Sequence, residues 1–183
     1  MSKRPPLLSV ADALERILAG VMPLPAETVP LSGAHGRVLA SPLKALRTQP
    51  PFAASAMDGY AIRHADLNGN GTVLVQIGEA AAGHAYKGSV GAGESVRIFT
   101  GAPLPEGTDT ILIQEDAETD GGSAITVTEV PDKGRYVRPA GLDFTEGDAL
   151  LEANRVLSAA DISLAAAMDH TALQVRRKPI VAL

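Results

Sequence analysis

Between residues 60 and 130 the chain is cut into short pieces by glycine-rich breaks, Asn68-Gly69-Asn70-Gly71, Gly91-Ala92-Gly93 and Asp120-Gly121-Gly122. Between the breaks lie runs rich in Val, Ile, Leu and Thr: "TVLVQIGE" (72–79), "ESVRIF" (94–99), "TILIQ" (110–114) and "AITVTE" (124–129). None of these runs is long enough for an ordinary helix, and short strands at turn-punctuated intervals predict a small barrel or sandwich. The 18 Gly and 13 Pro carry the same message over the whole chain. Aromatic residues make up only 3% and Trp is absent, so the packing must rest on Val, Leu, Ile and Ala.

The flanks read differently. Ser9 with Asp12 three residues on has the spacing of a helix cap, and Val10, Leu14, Ile17, Leu18 and Val21 then recur at helical intervals. One amphipathic helix is predicted over 10–20, ended by Gly20 and Pro23. A Pro-spaced extended segment, a short turn or helix at 32–36 and a strand near 37–46 follow. Ser158 and Asp161 repeat the capping spacing before a second helix through Met168. The chain then reads "ALQVRRKPIVAL": an alternating strand, a basic turn and an apolar run of the kind that opens a buried parallel sheet. The expected fold is mostly β with a few helices (α+β). An elongated N-terminal scaffold lobe (1–46 and 131–178) carries a β-barrel-like lobe (47–130), and 179–183 form the first strand of a further, missing α/β domain.

Bulk chemistry excludes several functions. The net charge is −5 and the longest basic run is Arg176-Arg177-Lys178, which argues against a nucleic-acid surface. With no Cys there are no disulfides or thiolate metal sites, and a cytoplasmic, reducing compartment is the default expectation. No run approaches the roughly 18 apolar residues of a membrane span, and the N-terminus is too short and Pro-rich for a signal peptide. The four His stand alone without ligand spacing, and no hydrolase, zinc-protease or nucleotide-fold signature is present.

Three loops carry candidate chemistry, each with a plain alternative. In "SAMDGYAI", Asp58-Gly59 reads as a tight turn, because both residues tolerate positive φ; Ser55 upstream faces either water or a ligand. In "FTGAPLPEGTD", Thr100 and Gly101 offer a hydroxyl and unobstructed backbone N–H groups to an oxyanion, or a simple Ser/Thr turn. In "RYVRPAGLDF", Arg138 and Asp143 provide phosphate capture and a hard carboxylate, or a surface ion pair worth little. A biotin- or lipoate-carrier hairpin around Lys87 is a weaker rival, since Lys87 stands between Tyr86 and Gly88 without the expected Met or acid beside it.

The order "SAMDGYAIR", "RIFTGAPLPEGTDTILIQED", "VRPAGLDFTEGDALL", "RRKPIVAL" closely resembles the MoeA family of molybdopterin molybdenumtransferases, which includes the gephyrin E domain. The resemblance runs from about Val10 to Leu183. It implies insertion of molybdate into adenylated molybdopterin, the last step of molybdenum cofactor synthesis, with Mg²⁺-assisted cleavage of the adenylate. It further implies that Asp58, Thr100 and Asp143 serve the reaction, that Asp58 and Asp143 hold Mg²⁺, and that Ser55, Gly101 and Arg138 bind the cofactor substrate. A homodimer is implied, with the active site shared between this β lobe and a pterin domain of the partner subunit. The chain alone would then be inactive. A non-catalytic assembly module of the same fold is the competing expectation.

Overall fold

The computed structural model describes residues 8–182. In chain order the elements are α1 (Val10–Leu18), β1 (Ala26–Pro30), β2 (Leu43–Lys44), β3 (Ala54–Ser55), β4 (Gly59–Ile62), β5 (Val73–Ala80), β6 (Glu94–Ile98) and β7 (Thr110–Ile113). There follow β8 (Ala117–Thr119), β9 (Ala124–Val127), β10 (Val137–Arg138), β11 (Ala149–Leu151), α2 (Ala159–Ala167) and β12 (Ala172–Arg176). The mostly β character and both helices agree with the sequence reading. The chain forms two units, one of residues 1–43, 149–166 and 170–183, the other of 44–148 and 167–169.

In the first unit β1 and β12 pair antiparallel, Val29 opposite Leu173 and Thr28 opposite Gln174, whose amide donates to the Thr28 hydroxyl at 2.7 Å. Leu39, Leu157, Leu173 and Val175 are fully or almost fully buried there. Arg37 crosses this ladder, donating to the Glu27 carboxylate and to the Arg176 carbonyl. Both helices begin as their capping residues predict. Ser9 Oγ accepts from Asp12 N–H, and Ser158 donates its N–H and hydroxyl to Asp161 while accepting from Asp161 N–H. The apolar stripe of α1 is exposed, with no buried residue in the helix.

The cap at Ser158 is testable. Ser158→Ala is expected to cost about 1 kcal/mol in thermal denaturation, the ordinary value of an N-cap hydroxyl. The Ser158 N–H, then its hydroxyl, then Arg155 hold the Asp161 carboxyl below its usual range. A depressed folded-state value means stability present at neutral pH that is lost as pH falls below about 4, the unfolded aspartate value. The gap between wild type and variant should therefore narrow in acid melts.

The second unit is built on a six-stranded sheet of order β7-β4-β6-β5-β9-β8, curled into a half barrel. All its pairings are antiparallel except β5–β6, and β5 carries a register shift between Gln76 and Gly78 that helps the sheet bend. Strand β4 lies between β6 and β7 and is buried along its whole length. Tyr60 and Ile62 join one cluster with Leu74, Leu112, Ile125 and Val127; Ala61 joins the other with Val96, Ile98 and Ile111.

Two expectations need correction. The segment 131–148 belongs with the β unit rather than with the scaffold. Backbone bonds draw it there: β10 pairs with β3, Ile111 N–H donates to Arg135 O, and Gly141 N–H donates to Pro50 O. Second, of the strand expected over 179–183, residues 179–182 form none and Leu183 lies outside the described residues; Ile180 and Val181 are exposed, because no described strand lies beside them to supply a ladder.

Candidate functional site

The boundary correction matters to function, because it places Ser55, Asp58, Thr100, Gly101, Arg138 and Asp143 in one unit. The backbone segments of all but Asp143 are neighbours. Ser55 N–H donates to Ala102 O, Gly101 N–H to Ser55 O, and Leu104 N–H to Ala53 O on one side of β3. On the other side Val137 faces Ser55 and Arg138 faces Ala54. Further along, Asp143 and Phe144 N–H both donate to Gln49 O. The three motifs of the sequence thus run side by side, although 42 residues separate Asp58 from Thr100.

Asp58 and Thr100 meet directly. The Thr100 N–H and hydroxyl donate to Asp58 Oδ1 at 2.7 and 2.8 Å. Those two bonds, the backbone one foremost, hold the Asp58 carboxyl below its ordinary range, and the nearby Arg97 charge adds to the effect. The carboxylate is ionised at neutral pH, and its described hydrogen bonds all fall on Oδ1. The same one-residue clamp occurs at Asp148 with Thr145 and at Asp161 with Ser158, but those partners are three residues apart and close a local turn or cap. Of these three, only the Asp58 clamp joins distant parts of the chain.

The turn chemistry differs from expectation in three ways. Gly59 is a strand residue, and neither Asp58 nor Gly59 has positive φ. Glycine is required there by a close approach: a Cβ would lie 2.1 Å from Leu112 O. Ser55 does not face water; it is fully buried, and its hydroxyl donates to Met57 O, shaping the bend that presents Asp58. The N–H groups of Thr100, Gly101 and Ala102 are all donated within the protein, to Asp58, Ser55 O and Phe99 O. Ala102 to Phe99 closes a β-turn whose third residue, Gly101, has φ +81°, a place for glycine. The loop is therefore not an open nest of N–H donors for an anion. Ser55 and Gly101 shape the backbone next to Asp58 and Thr100.

Arg138 and Asp143 are exposed and do not pair with each other; the described ion pairs are Arg37–Glu27, Arg63–Asp66, Lys133–Asp109 and Arg155–Asp161. A guanidinium and a carboxylate without an internal partner are available to a ligand. Among the described residues no group of three or more His, Asp or Glu gathers as a metal cage.

Arg97 escaped the motif reading. Its guanidinium lies 5.0 Å from the ring centroids of both Tyr60 and Phe99, and donates to Gly59 O at 3.3 Å and to Gln114 Oε1 at 2.7 Å. The available signal was cross-strand: Tyr60 is opposite Arg97, and Phe99 is two residues on, toward the same face.

Comparison with known proteins agrees with this architecture. Residues 8–168 match the family described as MoeA N-terminal region (domain I and II). A molybdopterin molybdenumtransferase of Nostoc is 36% identical over 161 residues, covering 86% of this chain and 37% of the relative. One of Haemophilus influenzae is 34% identical over 174 residues, covering 94% and 43%. The crystal structure of the molybdopterin biosynthesis moeA protein from Pyrococcus horikoshii OT3 superposes with a TM-score of 0.88 at 30% identity, covering 95% of this chain and 47% of that one. The chain belongs to the MoeA family. Within it, the match falls on the N-terminal region, and the chain spans less than half the length of these relatives.

Proposed function

We propose that this chain is the N-terminal part of a molybdenum insertase, a cytoplasmic, homodimeric enzyme that inserts molybdate into adenylated molybdopterin and releases AMP. The observation that carries the proposal is the Asp58–Thr100 contact, which brings two specific motifs together at an accessible position.

The donor set suits Mg²⁺: Asp58 is ionised, Asp143 is an exposed carboxylate, and both are hard oxygen ligands. When bound, the ion neutralises charge on the adenylate phosphates. Thr100 fixes the orientation of Asp58 by holding Oδ1, which leaves Oδ2 to face the ligand. Arg138, on the strand beside Ala54, offers the planar guanidinium that recognises phosphate in bidentate fashion. Ser55 and Gly101 keep the bend and the turn in shape. Nothing in this scheme asks a side chain to act as nucleophile.

One wall of a site built this way does not turn over substrate alone. Given adenylated molybdopterin, molybdate and Mg²⁺, the 183-residue chain is expected to form no molybdenum cofactor, whereas the complete insertase does. Turnover by the short chain would overturn the shared-site part of the proposal.

A further inference from the structure

We infer that Arg97 is a positioning residue of this site: it ties the bend carrying Asp58 to the turn carrying Thr100 and so sets the carboxylate–hydroxyl pair. The inference rests on the insertase reading for its catalytic consequence, but not for the tie itself.

The geometry is specific. Asp58 and Thr100 each lie at the end of a strand, β4 beginning at Gly59 and β6 ending at Ile98. Arg97 reaches both sides of that junction. Toward Asp58 it donates to the carbonyl of Gly59 and stacks on Tyr60; toward Thr100 it stacks on Phe99. Its second bond, to Gln114, anchors the guanidinium on the far side of β4, where Gln114 N–H in turn donates to Asp58 O. The two successive carbonyls that follow the Asp58 side chain are thereby gripped, Gly59 O directly and Asp58 O through Gln114.

Only arginine meets all these demands. A planar fork can stack on rings while sending N–H donors in two directions, whereas an ammonium is a compact point charge. Methionine fills similar space but removes the charge and every donor. If Arg97 merely packed the surface, R97M would cost a little stability and leave the Thr100 N–H alone.

The test is amide hydrogen exchange and steady-state kinetics on the complete insertase. R97M is expected to speed exchange at the Thr100 N–H by about tenfold while the amides of β6 and β7 that face β4 keep their protection. Its kcat for molybdenum insertion should fall about tenfold with KM for adenylated molybdopterin changed less than about twofold, as expected when a group is misplaced rather than binding lost. R97K should recover part of both. Unchanged Thr100 exchange in R97M overturns the inference. If R97M loosens the whole sheet, R97K decides: about threefold faster exchange at Thr100 alone supports the tie, and no change overturns it. Faster exchange with unaltered kcat upholds the tie but overturns its service to the reaction. Full activity in an Asp58 variant would take this site out of the reaction instead, leaving the exchange result to stand by itself.

Discussion

Asp58→Asn in the complete insertase is expected to lower the rate of molybdenum insertion by about a hundredfold or more, the usual scale for losing a preorganised charge at a reacting centre. The substitution is nearly isosteric. An amide oxygen can still accept from the Thr100 N–H and hydroxyl, so the bend and the turn remain joined. What disappears is the negative charge, and with it the hard ligand for Mg²⁺. The loss should therefore be partly recovered by raising Mg²⁺, while the melting temperature barely moves. Asp148→Asn is the matched control, because Asp148 sits in the same kind of clamp with Thr145 but within a local turn. It should leave the insertion rate unchanged. Equal activity of D58N and wild type would remove Asp58 from the reaction and favour the assembly-module reading of this fold.

Much of the fold was legible in the sequence, and the reason is local. Ser9–Asp12 and Ser158–Asp161 announce helix starts because a cap is complete within four residues. The strands 73–80, 94–98, 110–113 and 124–127 fall within a residue or two of their predicted spans, because glycine breaks and β-branched runs are local signals as well. What was hidden depends on contacts between distant segments. The pairing of Val137 and Arg138 with β3 is decided by two short segments with no periodicity of their own, so 131–148 looked like scaffold. The apolar "PIVAL" run has strand character but no ladder among the described residues, and composition alone does not make a strand.

The site divides along the same line. Asp58, Thr100, Arg138 and Asp143 were singled out by residue type within recognisable motifs; the structure joins Asp58 to Thr100 and sets Arg138 opposite Ala54, while the Asp143 N–H bonds Gln49 O. The roles of Ser55 and Gly101 changed because a buried hydroxyl and a donated N–H are tertiary facts. Arg97 was missed because its meaning lies in the strand opposite, through Tyr60, and not in its own neighbours. Asp58-Gly59 was read as a turn because the dipeptide usually is one. Here the glycine answers to packing.

That packing makes Gly59→Ala a severely damaging small substitution in this unit. Strand β4 has a neighbour on each side and core on both faces, so the sheet offers no direction in which to yield. A methyl group at 59 would lie 2.1 Å from Leu112 O and 2.8 Å from Ile113 Cα, both backbone atoms of β7. No rotamer change relieves a clash with backbone; β4 and β7 must separate, loosening the pairs Gly59–Ile113 and Tyr60–Leu112. Overpacking a tight interior usually costs 1–3 kcal/mol, and a backbone clash belongs at or above the top of that range, so about 3 kcal/mol or more is expected. For a chain of this size that is a fall in melting temperature of roughly 10 °C. Gly101→Ala is the informative comparison. It meets nothing within 4 Å and suffers only from φ +81°, a strain of about 1–2 kcal/mol. Thermal melts of the two variants should therefore rank G59A well below G101A. A G59A protein as stable as wild type would mean that β4 and β7 do not pack as closely as described, and the strand that delivers Asp58 to Thr100 would have to be placed anew.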